Sequence, residues 1–126
     1  MINLKSILEE VERVLSLYDV KIIPIKTAVK QCSGYLKLID EDKTYYFLKL
    51  NNDKTMIRLA VYWNNYFKDY RLGYDYSSTN ESCGGGTGNA INTLDDVEDA
   101  FLSIFRCHNI DKPKRIKQQL TLFDFL

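Results

Sequence analysis

From the fourth residue onward the chain alternates apolar and polar groups with a helical beat. Leu4, Ile7, Leu8, Val11, Val14, Leu15 and Tyr18 recur three and four residues apart, with Glu9, Glu10, Glu12 and Arg13 between them. One apolar stripe with a charged opposite side predicts a helix over residues 4–18. Asn3 stands where a side-chain oxygen can cap the first turn, and the glutamates are expected to suit the positive end of the helix dipole.

After Val20 the period falls to two. Residues 20–29 read as a first strand, and Pro24 places it at a sheet edge because proline cannot donate to a ladder. Residues 35–39 read as a second strand, 44–50 as a third, 56–63 as a fourth and 70–76 as a fifth. The polar turns 40–43 and 51–54 and an aromatic connection around Tyr66 and Phe67 separate the later ones. Strands so close in sequence join antiparallel, as a meander of four or five. Residues 77–92 are polar and rich in glycine. Thr93 then caps a second helix, with Asp96 three residues on as a short capping box. Leu94, Val97, Ala100, Phe101, Ile104 and Phe105 form its stripe. Beyond Arg106 the pattern stops, and residues 107–118, basic and containing Pro113, read as a linker.

The expected fold class is α+β: N-terminal helix, antiparallel meander, C-terminal helix and extended tail. Two amphipathic helices covering one sheet face is the economical packing. The expected division is a single domain over 1–106, a basic linker over 107–118 and a tail over 119–126.

Composition adjusts this picture at three points. The 126 residues suit one domain, and nine Tyr with six Phe, concentrated mid-chain, favour sheet. Seventeen basic residues balance seventeen acidic ones, so the chain lacks the field of a dedicated nucleic-acid binder and the acidity of a DNA mimic. Cys32, Cys83 and Cys107 are widely spaced and odd in number. Without a secretory signal they read as reduced thiols of a cytoplasmic protein, and no apolar run is long enough to span a membrane.

The tail carries the most specific chemistry. Gln119, Leu120, Leu122, Phe123, Phe125 and Leu126 gather one amide and five large apolar groups past a proline-containing linker. Such a cluster needs somewhere to be buried, either on its own domain or in a partner's pocket. Gln119-Leu120-Thr121-Leu122-Phe123 resembles the Gln-Leu-x-Leu-Phe peptide that binds bacterial DNA sliding clamps. Gln119, Leu122, Phe125 and Leu126 are also spaced as in the PCNA-interacting peptide of archaeal and eukaryotic clamps. The resemblance covers only the tail. It implies that Gln119 hydrogen-bonds at the rim of a clamp pocket while Leu122 and Phe123 fill an apolar groove, with Thr121 at the variable position. Lys112, Lys114, Arg115 and Lys117 just upstream can add attraction to an acidic clamp surface or to nearby DNA.

Other constellations speak less distinctly. The outward phase of the sheet carries Tyr35, Lys37, Tyr45, Phe47, Lys49, Arg58, Tyr62 and Arg71. Aromatics beside cations can bind single-stranded nucleic acid. The favoured alternative is a solvated face whose Lys and Arg stems cover the rings, with weak or no direct nucleic-acid binding. Cys83-Gly84-Gly85-Gly86-Thr87-Gly88 lacks the Gly-Lys-Ser/Thr ending of a phosphate loop, and Asn89 replaces the last glycine of a dinucleotide fingerprint. It reads as a mobile loop. The cysteines and His108, the lone histidine, lack zinc-ligand spacing. No cofactor, metal site or catalytic set is expected.

The expectation is therefore a small non-enzymatic accessory protein, of phage or mobile-element type, that reaches the replication fork through a sliding clamp. The alternative partner is a host defence protein, inhibited by the folded body; helix, meander and helix with a glycine-rich loop resemble anti-CRISPR proteins loosely, in architecture alone.

Overall fold

The computed structural model describes residues 2–24, 26, 27, 30, 40–50, 56–77, 88–107 and 112–116, the side chains of 74–77 and 107 excepted. Helix α1 spans Leu4–Leu15. The side chain of Asn3 caps it, accepting from the Ser6 N–H at 2.8 Å. No acidic residue occupies the first turn. The expected dipole contribution is thus missing, because that effect fades within one turn and the glutamates start later. The helix also stops short of Tyr18. The Ser16 hydroxyl donates to the Arg13 carbonyl at 2.5 Å. The N–H groups of Leu17 and Tyr18 donate to the carbonyls of Val14 and Leu15, tightening the last turn into 3₁₀ form. Leu4, placed on the stripe by periodicity, is 36% exposed.

Among the described residues five antiparallel strands follow: β1 (Val20–Ile23), β2 (Thr44–Leu50), β3 (Met56–Asn64), β4 (Asp69–Ser77) and β5 (Asn89–Ala90). Their order in the sheet equals their order in the chain, as a meander requires. Among the described strands β1 lies at one edge, as Pro24 implied, but it has four residues rather than ten. Proline removes a donor and restricts its predecessor, so the strand ends before it. Lys26, Thr27 and Lys30 are helical. The strand expected over 35–39 and the turn over 51–54 lie outside the described residues. Strand β1 pairs directly with β2, Val20 opposite Leu50 and Ile23 opposite Phe47. On β3 and β4, Arg58 faces Tyr76 while Leu59 faces Tyr74. Asp75 is therefore the extra residue of a bulge, which bends the pair and increases its twist.

Strand β5 falls inside the stretch read from sequence as loop. Gly88 brings the chain to it with φ of +73°. A Cβ there would lie 3.0 Å from the Leu72 carbonyl oxygen, 3.0 Å from the Tyr62 hydroxyl and 3.1 Å from the Gly73 Cα. Only glycine meets both the left-handed backbone and the close approach without strain. Leu72 then pairs with Asn89, and the Ile91 N–H reaches the Tyr70 carbonyl at 2.8 Å.

Helix α2 spans Asp96–Cys107. The Asp96 carboxylate accepts from the N–H groups of Asn92 and Thr93, each at 2.9 Å. That is the backward-reaching half of the expected capping box. Val97, Ala100, Phe101, Ile104 and Phe105 are buried, whereas Leu94 precedes the helix and is 40% exposed. Both helices cover one face of the sheet. Ile7, Val11, Val14 and Leu15 of α1 and the buried residues of α2 meet Leu48, Leu50, Ile57, Leu59, Val61 and Leu72 in one core. Tyr18, Phe101 and Phe105 stack in sequence, with ring centroids 5.3 and 5.1 Å apart, in the tilted and edge-on geometries that aromatic quadrupoles favour. The fold class is α+β, as the sequence implied.

Candidate interaction surfaces

The opposite face of the sheet gathers most of the basic and aromatic residues singled out from sequence. Alternation along β2 and β3, with the observed register, places Phe47 beside Arg58 and Tyr45 beside Ala60. Tyr62 pairs with Arg71 across β3 and β4. Lys49 lies between Lys21 and Met56. The grouping is as expected, but the environment is not. Phe47 has no exposed surface, and Tyr45, Met56, Ala60 and Arg58 are buried too, with Arg58 only 5% exposed. Together with Ile23 the apolar members form a second core cluster.

Arg58 is held there by rings. Its guanidinium carbon is 4.5 Å from the Tyr45 centroid and 6.0 Å from that of Phe47. A guanidinium is weakly hydrated for a cation and stacks on aromatic faces, which makes burial tolerable. The expected arrangement is a solvated head with its stem over the rings; at Arg58 it is the guanidinium itself that lies over the Tyr45 ring, and it is buried. Phe47 and Arg58 present no stacking surface to a nucleic acid. A signal for this existed in β3: Met56, Ile57, Leu59, Ala60 and Val61 form a nearly continuous apolar run, the mark of a strand covered on both faces.

The remaining members of that set are more accessible. Lys49, Tyr62 and Arg71 are half-buried. The Lys43 ammonium lies 4.9 Å from the Tyr62 centroid. Arg71 donates from Nε and Nη2 to the two oxygens of Asp69, at 2.8 and 3.2 Å, and from Nη1 to the Gly88 carbonyl at 3.1 Å. Hydrogen bonding to Asp69 is the chief cause that holds the Arg71 pKa above its ordinary value, and the Asp69 charge adds to it. Arg71 thus fastens the β5 approach to β4. Lys37 lies outside the described residues.

Arg71 also marks a surface that the sequence indicated only as an aromatic connection. Its guanidinium carbon is 4.1 Å from the Phe67 centroid. Phe67 and Tyr66 form an edge-on pair at 4.8 Å, at the tip of the β3–β4 hairpin. Asn64 shapes the tip. Its side-chain oxygen accepts from the N–H groups of Tyr66 and Phe67 at 2.9 and 2.8 Å. Its carbonyl accepts from the Lys68 N–H at 2.8 Å, with Lys68 at φ of +57°. Asparagine closing the backbone two residues on is a standard turn device. The result is a fixed turn presenting rings: Tyr66 is 86% exposed and Phe67 49%, with Trp63 at the end of β3 37% exposed. Trp63 packs edge-on against Tyr70 at 5.0 Å. Beside it, Ile2, Trp63, Lys68, Asp69, Tyr70, Ile91 and Asn92 line a cleft of about 110 Å³. Such a tip offers large apolar area at little entropic cost to a protein partner.

A wider groove of about 270 Å³ runs between β5 and α2, past Asn89, Asp96, Asp99, Ser103 and Arg106. The Asp96 carboxylate is already engaged as a cap. Among the described residues no group of three or more His, Cys, Asp or Glu is placed to hold a metal ion. Cys32, Cys83 and His108 lie outside them, as does most of the glycine-rich loop.

The tail residues Gln119, Leu120, Leu122, Phe123, Phe125 and Leu126 also lie outside the described residues, but the segment leading to them does not. Residues 112–116 were read as linker; they are fastened to the body. The Asp19 N–H donates to the Lys114 carbonyl and the Ile116 N–H to the Leu17 carbonyl, both at 2.8 Å. Tyr18 and Arg115 face each other in an antiparallel bridge. Pro113 is buried, while Lys112, Lys114, Arg115 and Ile116 are exposed. Alongside, the Tyr18 hydroxyl donates to Glu98 of α2 at 2.5 Å. Burial first, and the neighbouring Glu98 carboxylate second, push the Tyr18 pKa up.

No helix among the described residues is long and apolar enough to cross a membrane. Comparison of the chain with known protein families, with curated proteins and with solved structures finds no match.

Proposed function

We propose that this chain is a non-enzymatic docking protein that attaches to a DNA sliding clamp through residues 119–126. The observation that carries the reading is the run Gln119-Leu120-Thr121-Leu122-Phe123, which is similar to the clamp-binding pentapeptide at each of its defined positions. In this reading Gln119 bonds at the pocket rim, Leu122 and Phe123 fill the groove, and Leu120, Phe125 and Leu126 add apolar contact. Burying a leucine and a phenylalanine contributes about 1.5–3 kcal/mol each. Ordering the peptide offsets part of that, leaving affinity of about micromolar strength. Contacts of that strength exchange readily on a ring that offers several identical pockets. The body would then act at the replication fork, as accessory proteins of phages and mobile elements do. The test is clamp binding by the chain with and without residues 119–126. Binding is expected from the complete chain alone; equal binding by both forms, or none by either, overturns the reading.

The hairpin tip favours a second reading, in which the folded body inhibits a host defence protein in the manner of an anti-CRISPR. Tyr66 and Phe67, exposed on a fixed turn, and Trp63 at the neighbouring end of β3 have the aromatic character that anchors protein interfaces. Here the tail-less chain should retain a defence-protein partner, and Tyr66→Ala with Phe67→Ala should release it. Retention by the double variant refutes a role for the tip. The two readings use different surfaces and are compatible.

A further inference from the structure

The fastening of residues 112–116 has a geometric consequence for whatever holds the tail. Gln119 follows Ile116 by three residues, so its Cα lies at most about 11 Å away however the chain runs. A partner that grips Gln119 in a pocket is therefore brought against the body, because side chains on both surfaces fill much of that gap. The region it meets is the corner made by the Leu17–Asp19 connection and residues 112–116. Lys112, Lys114, Arg115 and Ile116 are exposed there, and Ile116 shows 48% of its surface. Asp19 is exposed beside them, and Glu98 is engaged with the Tyr18 hydroxyl. The segment itself is nonetheless cationic, through Lys112, Lys114 and Arg115.

We infer that this corner is a second contact surface for the sliding clamp, so that the tail is a short, directed tether rather than a loose one. The inference rests on the clamp reading proposed above. Two linked contacts act as one, since the first fixes the second at high effective concentration. The clamp surface flanking its pocket then has to be complementary to the Lys112, Lys114 and Arg115 cluster, and the interaction is salt-sensitive.

The experiment compares the affinity of a purified bacterial sliding clamp for four partners. These are the complete chain, a synthetic peptide of residues 117–126, the chain with a ten-residue Gly/Ser insertion between Ile116 and Lys117, and the chain with Lys114→Glu and Arg115→Glu. The complete chain should bind about fivefold tighter than the peptide, the scale that a few rim charges and one apolar side chain supply. Both altered chains should fall back to the peptide's affinity, and circular dichroism should show them folded. A gain that survives either change overturns the inference, as does equal or weaker binding by the complete chain while the peptide binds; in these cases clamp attachment stands. If neither chain nor peptide binds, the clamp reading falls and the second contact with it.

Discussion

Replacing Gly88 with alanine probes the junction through which the chain enters β5. Two costs arise at once. An L-residue held near φ of +73° is strained by about 1–2 kcal/mol relative to glycine. The new Cβ would also meet the Leu72 carbonyl oxygen and the Tyr62 hydroxyl at 3.0 Å and the Gly73 Cα at 3.1 Å. Two of these three are backbone atoms that cannot swing aside, and overpacking of this kind costs about 1–3 kcal/mol. Together they predict a loss of about 2–5 kcal/mol, unless β5 detaches first and caps the loss. Urea unfolding followed by Trp63 fluorescence measures the global value. Hydrogen exchange of the Ile91 amide, bonded to the Tyr70 carbonyl, detects local detachment. Gly73→Ala is the control, since its Cβ would sit 3.4 Å or more from its neighbours, and it should cost less than about 1 kcal/mol. Adding Tyr62→Phe to Gly88→Ala should recover part of the loss by removing one contact. If Gly88→Ala changes neither stability nor Ile91 protection, the left-handed, close-packed junction is wrong.

Three further expectations follow from the described geometry. Burial, aided by Glu12, pushes the Tyr46 phenol from 10.0 up to about 12; its contribution is complete below pH 10 and is lost as pH rises toward 12, because the unfolded chain ionises first. Ultraviolet titration should show a late phenol that Tyr46→Phe removes, and the same variant should flatten the decline of stability in that window; a late titration unchanged by Tyr46→Phe refutes it. Asn3→Ala removes the α1 cap and should lower unfolding stability by about 1 kcal/mol, and an unchanged urea midpoint would remove Asn3 from that role. Arg58→Glu puts a carboxylate between Tyr45 and Phe47 and should cost about 3 kcal/mol or more. Thermal melting reads this directly, whereas Lys49→Glu, at a half-buried site, should leave the melting temperature nearly unchanged; equal effects would contradict the burial of Arg58.

How far the sequence exposed this architecture varied with the kind of signal. The stripes of α1 and α2 were legible because each repeats its period over several turns, and strands β2, β3 and β4 because each is rich in aromatic and aliphatic residues and bounded by polar ones. The ends were less so: α1 stops at Leu15 because Ser16, Leu17 and Tyr18 turn back on the helix, a local bonding choice that apolar spacing does not encode. Strand β1 was overextended because the alternation beyond Pro24 looked continuous, though the proline breaks it. Strand β5 was hidden by its glycine approach, whose role depends on Gly73 and Tyr62 across the sheet. The burial of Phe47 and Arg58 is not evident from two-residue alternation, which ordinarily marks a sheet with one solvated face. The apolar run in β3 was the contrary sign. The exposed tip at Tyr66 and Phe67 was visible as aromatic content, but its fixed shape depends on Asn64 and is evident only in three dimensions. The fastening of residues 112–116 left no trace in apolar spacing, since its hydrogen bonds join backbone groups.

The strand order has a bearing on how the molecule acquires its shape. Neighbouring strands are neighbours in the chain, so β2, β3 and β4 can zip together over short loops with little closure entropy. The ends are different. Tyr18 and Glu98, 80 residues apart, meet only after the meander has brought α1 and α2 to the same face. The backbone bonds from Leu17 and Asp19 to residues 114–116 span still more chain. The middle of the sheet is thus the expected folding nucleus, and the corner at Tyr18 a clasp that shuts afterward. Truncating Leu59 or Leu72 should slow folding, while loosening the clasp with Tyr18→Phe should chiefly quicken unfolding. The lifetime of the native state would then be set at the corner from which the tail departs.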